Sequence, residues 1–391
     1  MRSVSAAALI FSCVASIASA APTSAFTFNN NPSPDELKSI ELAAHGSLPI
    51  AAAPAKNATA KAPSAASLNL LRFIAFNELF EVAFFTSLIN NITAGVDGFK
   101  LGNGTHDKQI LDDLKAIKNQ ETLHVLNAND ALKANKQSPI EPCQYTFPTT
   151  NLNDAIALAS KFTDIVLGTL PDIQTSFATN GDDGLIRGIG SVIGQEGEQN
   201  GFFRTFNKKD KKIPSALPFL TASTVNFAFS ALNQNFVVPN SCPNINDITH
   251  DKTIQAFDLL AVTSDGGILK PKPQTVNFTF TIDTATLSRF VPEWKNGEHG
   301  ESNKKVDWSP LSLVYINQQN APRSEKLVDV HFDGVVRDTV SFIFEADFPF
   351  DGTSFGNGLT IAALVPCGKD ISSVDAVSKN TIAGPGLIEV N

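Results

Sequence analysis

The stretch from Phe73 to Phe85, reading FIAFNELFEVAFF, is apolar on every side of a helix. A helix with no polar face has to be enclosed by others, so this one is expected at the centre of a bundle. Its only charges are Glu78 and Glu81, three residues apart and so pointing the same way, in a stripe Leu71, Ile74, Glu78, Glu81, Phe85. An ionised carboxylate among apolar side chains is costly unless a partner compensates it. Glu78 is expected to face the core, and Glu81 a neighbouring helix or loop.

Two further helices repeat the arrangement. One carries Ile110, Leu114 and Ile117, then Glu121 and His124, then Ala128 and Ala131; another carries Leu185, Ile189 and Val192, then Glu196 and Gln199, then Phe203. Arg72, Lys118 and Arg187 lie off these stripes, so ion pairing is not the general answer, whereas a metal cation is a consistent one. In dinuclear carboxylate bundles two helices each give a Glu and two others each give Glu-x-x-His, all facing inward. Here that pair is complete once, as Glu121 and His124. Gln199 stands where the second His would be, and Asp164 is the acid available on the helix between Asn151 and Phe177. A neutral amide is a poor transition-metal ligand beside imidazole. Convergence of Glu78, Glu121, Glu196 and His124 to within about 5 Å would support a metal, given bonds near 2 Å to each ligand.

Helical spacing runs from Leu68 to Phe236 as five segments, and after Pro239 the pattern changes to short β-branched and aromatic runs. These lie at Val276 to Ile282, Leu311 to Ile316, Leu327 to Phe332, Val340 to Phe344 and Leu359 to Val365. The predicted architecture is α + β in two domains: a bundle of four main helices plus a fifth over 65–244, then an all-β sandwich-like domain over 245–391.

Ahead of the bundle, residues 1–20 read as a secretory signal peptide, with an apolar core from Ala6 to Phe11 and a small-x-small end at Ala18-Ser19-Ala20. Residues 21–64 read as a flexible Ala/Pro/Ser-rich leader. No later run approaches the roughly 18 apolar residues a membrane helix needs. Glycosylation acceptors stand at Asn57, Asn91, Asn103 and Asn277, with Asn91 and Asn103 expected in one interhelical connection. The net charge of −9 argues against nucleic acid as a partner. The run Lys208-Lys209-Asp210-Lys211-Lys212 is read as a solvated turn, with a dibasic processing site as the alternative. There is no Gly-x-Ser-x-Gly, phosphate loop, Cys-x-x-Cys or dinucleotide fingerprint, so hydrolase and nucleotide-binding readings have no support. Trp294 and Trp308 are read as packing, with a sugar-binding surface as the alternative.

The segments Asn77 to Phe85, Glu121 to Leu126 and Ile193 to Gln199 resemble the ferritin-like domain of fungal sexual-development and stress-response proteins and plant desiccation-related proteins. Glu141-Pro142-Cys143-Gln144-Tyr145-Thr146-Phe147-Pro148, with the strand-rich tail, is similar to the secreted late sexual development group of filamentous fungi. The resemblance implies a five-helix bundle and candidate ligands Glu78 (or Glu81), Glu121, His124 and Glu196, with Asp164 and Gln199 departing from the family's Glu and His. Activity does not follow from the fold.

Cys143 lies between the second and third bundle helices and Cys242 just after the fifth, so a Cys143–Cys242 bridge is predicted, with Cys367 free or in an alternative pair. The expectation that leads is a secreted glycoprotein, non-catalytic, with a structural or interaction role in development or stress and a degenerate or single-metal site holding iron, manganese or nothing. The alternatives are a metal-dependent oxidoreductase and an extracellular protein with a cell-wall or glycan partner. No catalytic residue is assigned, and the oligomeric state is left open.

Overall fold

The computed structural model describes residues 25–49, 62–102, 104–207, 217–292, 294, 306–336 and 338–390. The expected signal peptide, the acceptors Asn57 and Asn103, and the run from Lys208 to Lys212 lie outside the described residues.

The helical half comprises α1 (Pro34–Ala43), α2 (Ala65–Thr93), α3 (Thr105–Ala134), α4 (Leu152–Thr179), α5 (Ile186–Asn207) and α6 (Val225–Asn235). Between Leu68 and Phe236 these supply the five helices that the periodicity predicts. Helix α1 corrects the reading of 21–64 as flexible leader. Its start was written in the sequence: Ser33 and Glu36 form a reciprocal capping box and Pro34 takes the first turn, where its missing N–H costs nothing. The helix buries no residue of its own fully, but Leu37 and Ile40 lean on Leu123 and Leu126 of α3. Short segments between periodic helices carry too few apolar positions for spacing alone to reveal this.

Helix α2 is enclosed as its composition requires, with 18 of its residues buried, and it packs against α3, α4 and α6. Ser64 caps it by accepting from the Ser67 N–H, while Asp182 at the end of the α4 hairpin accepts from the Ser64 N–H at 3.0 Å. Helix α4 continues through Pro171. One turn earlier, Gly168 lets residues 221–223 cross the helix: a Cβ there would stand 2.1 Å from the Thr221 carbonyl oxygen, and the Ser223 N–H donates to the Gly168 carbonyl. No helix among the described residues is long and apolar enough to cross a membrane. Asn91 lies in the last turn of α2 rather than in the connection that follows.

The strand half contains α7 (Asn246–Thr249), β1 (Leu259–Val262), β2 (Ile268–Leu269), β3 (Gln274–Asp283), α8 (Thr284–Phe290), β4 (Leu311–Asn317), β5 (Arg323–Lys326), β6 (Val328–Val336), β7 (Thr339–Phe348), β8 (Gly358–Pro366), α9 (Val374–Asn380) and β9 (Ala383–Val390). A four-stranded sheet runs β1-β3-β7-β6 and a five-stranded sheet runs β2-β9-β8-β4-β5. The first is antiparallel; the second is mixed, because β2 pairs parallel to β9. The two sheets are the strand-rich half that the sequence predicts, with three short helices and that parallel pair added to it.

Strand β3 alternates as a one-sided strand should, burying Val276, Phe278, Phe280 and Ile282. Strand β4 instead buries all seven residues. The reason is that the five-stranded sheet is a middle layer. Leu311, Leu313 and Tyr315 of β4 enter the core between the two sheets, whereas Val314 and Ile316 enter the core of the helical bundle. Strand β8 divides the same way, with Ala362 and Leu364 on one side and Ile361, Ala363 and Val365 on the other. A sheet covered on both faces reads as a continuous apolar run, which is how these segments appear in the sequence.

Candidate metal centre

Helices α2, α3 and α5 each bring a carboxylate to one point in the bundle. One ligand atom from each of Glu78, Glu121, His124 and Glu196 lies within 4.8 Å of all the others. Glu78, Glu121 and Glu196 are buried, and His124, 15% exposed, is the member that reaches solvent. Its Nδ1 stands 2.9 Å from Glu121 Oε2, 3.4 Å from Glu78 Oε2 and 3.9 Å from Glu196 Oε1. The helical spacing of Glu121 and His124 sets the first distance; the packing of α3 on α2 sets the second.

Glu81, expected to face a neighbouring helix or loop, is also fully buried. Asn77, one turn earlier on α2, donates to Glu81 Oε1 at 2.9 Å. Between Phe73 and Phe85 every residue of α2 is buried, so no face of that stretch offers water to a second carboxylate. Gln199 is brought to the cluster but as a donor: its Nε2 hydrogen-bonds Glu121 Oε1. Asp164 is not brought in; Asn200 donates to its Oδ1 at 2.7 Å, and Ser160 in turn donates to Asn200 Oδ1 at 2.7 Å. Two amides that the sequence reading missed, Gln120 and Gln195, complete the surroundings. Gln195 Nε2 donates to Gln120 Oε1 at 2.7 Å, and Gln199 Nε2 approaches the same oxygen at 3.3 Å. The only hint of them was adjacency to Glu121 and Glu196.

Burial dominates the charge state. It pushes the Glu78 carboxyl up to about 7 against a partial offset from His124. Burial, then the neighbouring carboxylates, push Glu81 and Glu196 well above the usual range. Burial acts on Glu121 in the same sense, but His124 and the hydrogen bonds from Glu78 and Gln199 hold it below its ordinary value. Burial disfavours the His124 cation, yet Glu121 and Glu78 together raise its pKa well above normal. Without a metal the cluster therefore favours one imidazolium–carboxylate pair, Glu121 with His124, beside acids that burial pushes toward their protonated form.

The donor set fits a cation. Glu78 Oε2, Glu81 Oε2, both oxygens of Glu196 and Gln199 Oε1 are buried without a hydrogen-bond partner. The Lys and Arg ion pairs among the described residues involve other acids. Buried polar atoms are ordinarily satisfied, so five unsatisfied oxygens converging on one region call for an electropositive guest.

Away from the cluster, Cys143 is bonded to Cys242 and Cys367 is free and exposed. The bridge ties the α3–α4 connection to the exit of α6. Trp294 and Trp308 are half-buried against Phe342, at ring distances of 4.9 and 4.8 Å. Asn277 is exposed on β3, on the face of the sheet opposite the core.

Residues 66–209, which hold α2 to α5 and the carboxylate cluster, match the family model for a ferritin-like domain; the match leaves out α1, α6 and the strand half. No curated protein matches the chain significantly.

Proposed function

We propose that this is an exported ferritin-like metalloprotein that holds one cation at Glu78, Glu121, Glu196 and His124. The observation that carries the reading is the convergence of those four ligand atoms within 4.8 Å, in a site where oxygens of Glu78, Glu81, Glu196 and Gln199 lack hydrogen-bond partners. A set rich in carboxylate oxygen with one imidazole suits manganese or iron better than copper, or than zinc in a structural site. Gln199 donates to Glu121, and Asp164 is engaged by Asn200, which favours one cation over two. When bound, such a metal supplies Lewis-acid or one-electron chemistry. The chain's part is to hold the carboxylates dry and to orient His124 through Glu121. The oxidoreductase alternative requires this same centre.

The signal-like segment at 1–20 and the exposed acceptor Asn277 support export and glycosylation. The resemblance over Glu141 to Pro148 supports a role in fungal development or stress, with a wall or glycan partner for the strand half. Elemental analysis of protein purified from its native source tests the centre. Stoichiometric manganese or iron, lost in His124→Ala, is the expected result; a metal-free protein that also refuses both metals on reconstitution would overturn it.

A further inference from the structure

Residues 25–49 contribute nothing to the cluster, yet they are strapped along the outside of α3 with two unequal ends. At the start, the Phe26 N–H donates to Gln144 Oε1 at 2.9 Å and Gln144 Nε2 donates back to the Phe26 carbonyl at 3.2 Å. Asn129 Nδ2 donates to Asn30 Oδ1 at 2.7 Å, and Lys133 Nζ to the Asn30 carbonyl at 2.8 Å. Beyond α1 the hold is apolar: Ala44 is buried on Leu123 and Leu126, with Leu37, Ile40 and Leu48 around them. The polar contact from that end to the bundle is Gln120 Nε2 to the Ala44 carbonyl at 3.5 Å, the outer limit of a hydrogen bond.

Gln120 is where the strap meets the site. It precedes Glu121 and sits one helical turn before His124. From the Ala44 carbonyl, three hydrogen bonds lead through Gln120 and Gln199 to the Glu121 carboxylate. These amides bridge the seam between α3 and α5 beside Glu121, one helical turn from His124.

We propose that residues 44–49 are a closure for this seam. Docked, they hold Gln120 against α5 and fix Glu121 through Gln199. Lifted, they release Gln120 and open His124 to incoming cations. The anchor at 25–31 has polar bonds of its own to Gln144, Asn129 and Lys133, and shares with the closing end only the packing of Phe28 on the Ala44 cluster, so the closing end can rise while the strap stays attached. A weakly held end opens locally at a fraction of the cost of global unfolding. The purpose of the closure rests on the metal reading, but its geometry does not.

The test uses the full chain. Leu37→Asp with Ile40→Asp places two charges beneath the strap, Gln120→Leu cuts the polar link while keeping the apolar contact, and Leu42→Asp, at a position 70% exposed, is the control. In metal-free protein at one pH, modification of His124 by diethyl pyrocarbonate is followed by peptide mass spectrometry, with exposed His250 as internal reference. The double variant is expected to react about tenfold faster at His124 and Gln120→Leu several-fold faster, with the control unchanged. Leu48→Asp, beyond α1, carries the same test should the double variant not fold. An unchanged His124 rate in a strap variant that still melts cooperatively overturns the closure. Extraction of manganese by a chelator from loaded protein is a separate arm. Failure of the wild type to load defeats the metal reading and leaves the His124 rate to decide the strap.

Discussion

Gln199 donates its side-chain amide to Glu121 from the α5 position, three residues past Glu196, at which an imidazole would complete a second Glu-x-x-His pair. The substitution Gln199→His restores that pair opposite Glu121 and His124. It is expected to raise manganese on reconstitution from about one to about two ions per chain, as in bundles with both pairs intact. Elemental analysis of wild type and variant side by side decides it; an unchanged stoichiometry would show that Asp164, held by Asn200, is the limiting absence.

Metal binding should release protons. The Glu78 carboxyl, raised from 4.5 to about 7 chiefly by burial, and the His124 imidazolium, favoured by Glu121 and Glu78, both have to give up a proton to become ligands. Affinity therefore rises with pH across the neutral range. For the metal-free protein the sign is opposite: a carboxyl that binds its proton more tightly when folded lowers stability as pH climbs from about 4.5 through about 7. The gap in melting temperature between loaded and metal-free protein is expected to widen from pH 5 to pH 8 (). Calorimetric titration in buffers of different ionisation enthalpy counts the protons; a gap independent of pH would sink the assignment.

Asp172 offers a pH response remote from the cluster. Burial, then Asp375 on α9, raise it from 3.8 to about 6, against a hydrogen bond from the Val225 N–H at the start of α6. Its folded pKa exceeds its unfolded one, so stability attributable to it falls as pH rises from about 4 through about 6. Asp172→Asn keeps an acceptor for Val225 and removes the charge. Near neutral pH it is expected to stabilise the protein by less than about 2 kcal/mol, since solvent reaches the site and screens it. Denaturant midpoints at pH 4 and pH 7 check this: the difference from wild type should vanish at the lower pH.

The Cys143–Cys242 bridge closes a loop of 99 residues. Replacing both cysteines by Ser is expected to cost about 2–5 kcal/mol, most of it through the greater freedom of the unfolded chain. Equilibrium unfolding in urea measures it, and a loss under about 1 kcal/mol would mean that the packing around Tyr145 and Phe236 already fixes this corner.

The bundle was legible because its central helix has no polar side, and Glu78, Glu121, His124 and Glu196 were legible because each interrupts an apolar stripe. Which of Glu78 and Glu81 meets the cluster was less legible, because between Phe73 and Phe85 every side of α2 is buried and spacing alone does not rank its faces. Gln120 and Gln195 act through side-chain amides whose partners lie on another helix, and no spacing within one segment encodes that. Helix α1 was missed although Ser33, Pro34 and Glu36 announce it, because its apolar residues number too few to show a period. Strands β1, β2, β5 and β9 escaped because they are short, or because, as in β9, Gly384, Pro385 and Gly386 interrupt the run.

The five-stranded sheet gives alternate side chains of β4 and β8 to opposite cores, so the two halves of this chain share a party wall. Neither room can be emptied without baring one side of it. Calorimetry should accordingly find one endotherm where the linear order of helices and strands suggests two. A fragment ending near residue 244 would present the flank of α4 and α6 uncovered and self-adhesive. Selection on the strand half thereby acts on the temperature at which the carboxylates of the other half stay assembled.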